Sequence, residues 1–76
     1  MTSSNGVALG QHWRQLTRRE REILVWVGSG MSNKEVARGL GLSPGTVKLH
    51  VHSILSKTGA RSRYTLVAQM VARSAA

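Results

Sequence analysis

Seventy-six residues and 8.3 kDa make one small domain, and eleven Lys and Arg against three acids give a formal charge of +8 with a pI ≈ 11.8, above the ~9 that marks a basic nucleic-acid footprint. With no cysteine in the chain, a disulfide framework and a thiolate metal site are excluded. No apolar run approaches the ~18 residues of a membrane span, and so short a chain has little room for an enclosing ligand pocket of roughly 300–1,000 Å³.

Residues 1–12, MTSSNGVALGQH, carry Ser, Asn and Gly without helical periodicity. They read as a leader, with the boundary placed so that 1–15 is linker and 16–76 is the domain. No charged n-region followed by an apolar core stands there, so no secretory signal is read. Trp13 is expected to pack on the domain edge. Thr17 and Glu20 then have the spacing of a capping box, with Leu16 placed as a hydrophobic staple. Ile23, Leu24 and Val27 give one helical face, and Gly28 and Gly30 stop it.

Ser32 and Glu35 repeat the capping-box spacing. Val36, Ala37 and Leu40 follow, and Gly41 ends the segment. Ser43-Pro44 opens a third helix, with Ser at the N-cap and Pro at the first helical position. Its apolar stripe is Val47, Val51, Ile54 and Leu55, and Gly59 ends it. A fourth segment, from about Ser62 to Arg73, carries Leu66, Val67, Met70 and Val71. No strand pattern competes, so the expected class is all-α, four short helices. Glu20, Glu22 and Glu35 are all expected in first turns, where they offset the helix dipole and act structurally.

The second and third segments have the layout of a helix-turn-helix, because Gly41 can take the positive φ that turns the chain steeply. At about 100° per residue from Val47, the residues Val51, Ile54, Leu55 and His50 fall within roughly 80° of the core direction. Gly45, Leu49, His52, Ser53 and Ser56 fall on the far side, with Lys48 on the flank. That far side holds no acid, as a helix lying among phosphates requires. Lys48 can donate to guanine O6/N7, Leu49 can touch a thymine methyl, and His52 can meet a base edge one turn on. Lys34, Lys57, Arg61 and Arg63 flank the face. Thr46 offers a hydroxyl and a backbone N–H toward a phosphate.

Four blocks, Leu16-Thr17-Arg18-Arg19-Glu20-Arg21-Glu22-Ile23-Leu24, Gly30-Met31-Ser32-Asn33-Lys34-Glu35-Val36-Ala37, Leu42-Ser43-Pro44-Gly45-Thr46-Val47-Lys48-Leu49-His50-Val51 and Lys57-Thr58-Gly59-Ala60-Arg61-Ser62-Arg63, resemble in order the LuxR-type (GerE-like) helix-turn-helix domain. That domain ends quorum-sensing regulators and response regulators of the NarL/FixJ type. The resemblance covers about residues 16–73. It implies a four-helix transcription-regulator domain that binds double-stranded DNA as a homodimer in the bacterial cytoplasm, on the nucleoid. It implies no metal, no cofactor, no small-molecule ligand in this domain and no membrane, with RNA polymerase as a further partner. The positions matching the family's base-reading trio are Lys48, Leu49 and His52, the same three that helical geometry isolates. Those matching its phosphate contacts are Lys34, Thr46, Lys57, Ser62 and Arg63. The fourth helix matches its dimer contact, with Tyr64, Ala68 and Val71 on the outer stripe and Leu66, Val67 and Met70 inward.

The chain departs from the family at Thr58, where Leu is usual, so a less apolar seam is expected between the third and fourth helices. Gly39 and Gly41 bracket Leu40, and an interior Gly costs a helix about 0.5–1 kcal/mol relative to Ala. No receiver or acyl-homoserine-lactone domain precedes the motif, which fits an excised effector domain or a short stand-alone member. Two rival readings share the scaffold: a sigma-factor-like domain reading the −35 promoter element, and a protein-interaction adaptor that binds no DNA. An enzyme is disfavoured, because His50 and His52 point to different helix faces and no acid lies near them to form a triad or metal cage. A membrane-active helix is disfavoured because the cations do not line one helix opposite an apolar face.

Overall fold

The computed structural model describes residues 13–75, which form four helices: α1 (Arg18–Gly28), α2 (Asn33–Leu40), α3 (Pro44–Thr58) and α4 (Arg63–Ala75). The expected leader, residues 1–12, lies outside the described residues. Trp13 and Arg14 are already helical, and Trp13 packs against the core.

Both capping boxes form. Glu20 N–H donates to Thr17 Oγ1 at 3.1 Å and Thr17 N–H donates back to Glu20 Oε1 at 2.8 Å. At α2 the reciprocal distances are 3.2 and 2.8 Å between Ser32 and Glu35. Each box satisfies donors that a helix start otherwise leaves orphaned. The Ser32 donors hold the exposed Glu35 carboxyl below its usual range. Ser43 caps α3, accepting from Thr46 N–H at 3.1 Å, with Pro44 at the first helical position. Ser62 caps α4, accepting from Thr65 N–H at 3.1 Å. Glu22 departs from its expected place. It lies beyond the first turn of α1 and pairs instead with Arg19 at 3.2 Å on the exposed face.

Gly41 takes φ 70°, and Leu42 N–H donates to Ala37 O at 2.9 Å, closing α2 before the chain re-enters a helix at Pro44. The core joins Leu16, Ile23, Leu24 and Val27 to Val36, Ala37, Val47, Val51 and Ile54, with Leu66 of α4 fully buried on the other side. Thr58 is also fully buried. Its hydroxyl donates to Ile54 O at 2.8 Å, so the buried polar atom is satisfied within its own helix.

Gly39 has a packing reason. A Cβ there would overlap the six-membered ring of Trp26, which lies against the α2 backbone. The glycine therefore gives α2 less helix propensity but lets the indole close the α1–α2 seam. Gly39→Ala is expected to destabilise the fold by about 1–3 kcal/mol through overpacking, even though alanine favours a helix by about 1 kcal/mol. In a Trp26→Leu background the same substitution should become neutral or stabilising. Urea unfolding of the four variants checks this, and an equal Gly39→Ala effect in both backgrounds would refute the contact.

Candidate nucleic-acid interface

α3 is oriented by a carboxylate on α1. Glu20 is 4 % exposed, and its two oxygens take Thr17 N–H and Lys57 Nζ, each at 2.8 Å on Oε1, and Ser53 Oγ at 2.6 Å on Oε2. Lys57 Nζ also donates to Gln15 O at 3.4 Å. Burial alone would raise the Glu20 pKa. The hydrogen bonds from Lys57, Ser53 and Thr17, together with the Lys57 charge, outweigh burial and hold it down at about 2. Ser53 and Lys57 lie one turn apart, so the pair fixes both the position of α3 and its rotation about its own axis.

With one flank of α3 tied to Glu20 and the Val47–Val51–Ile54 stripe buried, the remaining arc faces outward. Lys48, Leu49, His52 and Ser56 lie there, all exposed, and Leu49 keeps 72 % of its surface in water. His50 is half-buried toward the core side. Ser53, expected on the outer face, is instead half-buried on Glu20, a partner 33 residues away that helical arithmetic on α3 alone does not reveal.

The flanking cations divide into two groups. Lys34 at the start of α2 and Arg61 after α3 are exposed, and neither side chain makes a hydrogen bond or ion pair among the described residues. Lys57 and Arg63 have internal work. Arg63 Nη1 donates to Asn33 Oδ1 at 2.7 Å and Nη2 donates to Met31 O, clamping the start of α4 to the start of α2. The Thr46 N–H donates to Ser43 Oγ at 3.1 Å. The Thr46 hydroxyl accepts from Ser43 Oγ at 2.9 Å and retains its own hydrogen to donate. Ser62 Oγ lies 3.1 Å from Thr65 Oγ1 beside the same clamp. On α4, Tyr64 is 86 % and Val71 63 % exposed, with Ala68 exposed between them, while Leu66 is buried and Val67 and Met70 pack half-buried on the core.

Residues 14–70 match the family described as bacterial regulatory proteins, luxR family. The chain is 50 % identical over 48 residues to the transcriptional regulatory protein LnrK of Bacillus subtilis (strain 168), covering 63 % of this chain and 22 % of that protein. It is 47 % identical over 49 residues to the nitrate/nitrite response regulator protein NarL of Escherichia coli (strain K12), covering 64 % and 23 %. A putative HTH-type transcriptional regulator of Mycobacterium bovis is 39 % identical over 61 residues, covering 80 % of this chain and 7 % of that protein. The chain thus spans at most about a quarter of the length of these relatives. No solved structure matches it significantly. No helix among the described residues is long and apolar enough to cross a membrane.

The Glu20 cluster has an acid signature. Its carboxyl titrates at about 2 when folded, well below the usual carboxylate range near 4.5. The stabilisation it contributes is therefore complete above about pH 5 and is lost as pH falls through 2, amounting to about 3 kcal/mol at most. Urea midpoints measured from pH 6 to pH 2 should fall steeply in this window, and Glu20→Gln should flatten the slope. Parallel pH profiles for the two proteins would show that the stabilising charge lies elsewhere.

Proposed function

Because the chain belongs to the luxR family of bacterial regulatory proteins, we propose that it is a sequence-specific double-stranded-DNA-binding domain of a transcriptional regulator, a binding module and not an enzyme, acting in the bacterial cytoplasm on the nucleoid. One observation carries the reading: the outward arc of α3 displays Lys48, Leu49 and His52 to solvent on a helix whose two other sides are fixed by the core and by Glu20. An isolated domain gains nothing from leaving a leucine 72 % exposed between a lysine and a histidine. A major groove offers that trio a guanine edge, a thymine methyl and a further base edge.

Binding begins with charge. The net +8 draws the domain to the duplex, and counterion release supplies affinity that does not depend on sequence. Lys34, the Thr46 hydroxyl and Ser62 contact phosphates and set the register. Lys57 and Arg63 keep unused N–H groups beyond their internal bonds and offer them from fixed positions, at reduced net charge in the case of Lys57. α3 then enters the groove, and Lys48, Leu49 and His52 read bases. The outer stripe of α4, Tyr64, Ala68 and Val71, joins two copies on adjacent half-sites. RNA polymerase is the further partner of the assembled regulator. The sigma-like and adaptor readings lose ground because the named relatives are transcriptional regulators.

Fluorescence anisotropy against a site selected from a random library tests the two contact classes together. Lys48→Ala should weaken the selected site by about 1–3 kcal/mol and leave non-specific binding nearly unchanged. Lys34→Ala should weaken every duplex alike and reduce the salt slope by about one unit. A Lys48→Ala protein with wild-type affinity for its selected site would overturn the assignment of α3. Separately, Tyr64→Arg should abolish cooperative filling of two half-sites while leaving single half-site binding intact. Unchanged cooperativity in a gel-shift titration places the dimer contact off α4.

A further inference from the structure

Away from α3, a cleft of about 240 Å³ opens between the residues preceding α1 and the end of α4. Its floor is apolar: Leu16 and Leu24 are buried and Trp13 is half-buried against the core. Its rim is cationic, made by Arg14, Arg21 and Arg73, and no acid among the described residues lines it. Two of these guanidiniums are held in place. Arg73 sits 4.5 Å from the centroid of the Trp13 ring, and Arg21 Nη2 donates to Arg14 O at 3.3 Å.

We propose that this cleft docks an acidic segment of another protein. One aliphatic side chain of the segment rests on the Leu16–Leu24–Trp13 floor, and its carboxylates meet the three guanidiniums. Two features select this occupant together. A phosphate on a DNA strand satisfies the arginines but has no apolar group for the floor. The first twelve residues of this chain contain no acid. A second copy is no better supplied: Glu20 is buried in its own cluster, Glu35 caps α2 and Glu22 is paired with Arg19. A peptide carries both requirements at once, an apolar side chain flanked by carboxylates. The inference stands apart from the DNA-binding reading, since neither Lys48 nor any other α3 residue takes part.

The test follows the Trp13 indole N–H of the ¹⁵N-labelled full chain, assigned with Trp13→Phe, during titration with the blocked peptide Glu-Asp-Leu-Glu-Glu. The Trp13 signal should move while that of Trp26 stays. Replacing the peptide leucine by serine should weaken binding at least fivefold. Arg21→Gln and Arg73→Gln should each weaken it at least threefold with the helical circular dichroism spectrum retained, whereas Arg38→Gln on α2 should stay within twofold of the parent. If pyrophosphate or the serine peptide moves the Trp13 signal as effectively, the cleft is a plain anion site and the proposal is overturned. It is equally overturned if a DNA duplex produces the same shift, because the surface is then a phosphate contact.

Discussion

A carboxylate 4 % exposed, shared by donors from three places in the chain, governs how this domain presents itself. Burying an ion costs several kcal/mol unless its lone pairs are filled. Glu20 fills them with the Thr17 N–H, the Ser53 hydroxyl and the Lys57 ammonium. Apolar packing between α1 and α3 is tolerant of small rotations, because Val47, Val51 and Ile54 form a broad stripe. Two hydrogen bonds from residues one turn apart to one carboxylate are much less tolerant. The cluster is thus a geometric stop: it selects one rotation of α3 from those the hydrophobic contact allows. The outward direction of Lys48, Leu49 and His52 follows from that choice.

The rest of the scaffold keeps the stop in place. Trp26 lies over the glycine gap in α2 and closes α1 onto α2. Gly41, at φ 70°, turns α2 into α3 within three residues. Arg63 then ties the start of α4 back to Asn33 and Met31, next to the exposed Lys34. The start of α2 is therefore held by its own capping box and by a guanidinium from the far end of the chain. On the proposed DNA-binding reading, Lys34 gains from such a mounting, because less side-chain and backbone freedom is lost when a phosphate contact forms.

The four helices and their starts were legible in the sequence because the signals that encode them are local. Thr17–Glu20 and Ser32–Glu35 are three residues apart, and Ser43-Pro44 is a neighbouring pair, so each cap is a property of a short window. The outward arc of α3 was also legible at Lys48, Leu49 and His52, since it depends only on the helical period within α3. Partners chosen by packing were not legible. Ser53 and Glu20 are 33 residues apart, Lys57 and Glu20 are 37, and Arg63 and Asn33 are 30. Which flank of α3 meets α1 is decided by how the helices cross, so Ser53 read as an outward residue and Lys57 and Arg63 as free cations. Gly39 read as a cost for the same reason, because its use depends on an indole thirteen positions earlier in the chain.

These long-range partners also change what the +8 charge means. Lys57 is neutralised by Glu20, Arg19 by Glu22, and Arg63 spends its donors on Asn33 and a carbonyl. Among the eight remaining cations, Lys34, Lys48 and Arg61 surround the α3 arc and Arg14, Arg21 and Arg73 ring the cleft beside α1, while Arg18 and Arg38 stand exposed outside both groups. A chain needing only to adhere to a polyanion would serve with its charge spread evenly, because counterion release is indifferent to arrangement. Here six of the eight remaining cations gather on two surfaces, while Glu20 is buried against Lys57, Glu35 caps α2 and Glu22 pairs with Arg19 on the exposed face.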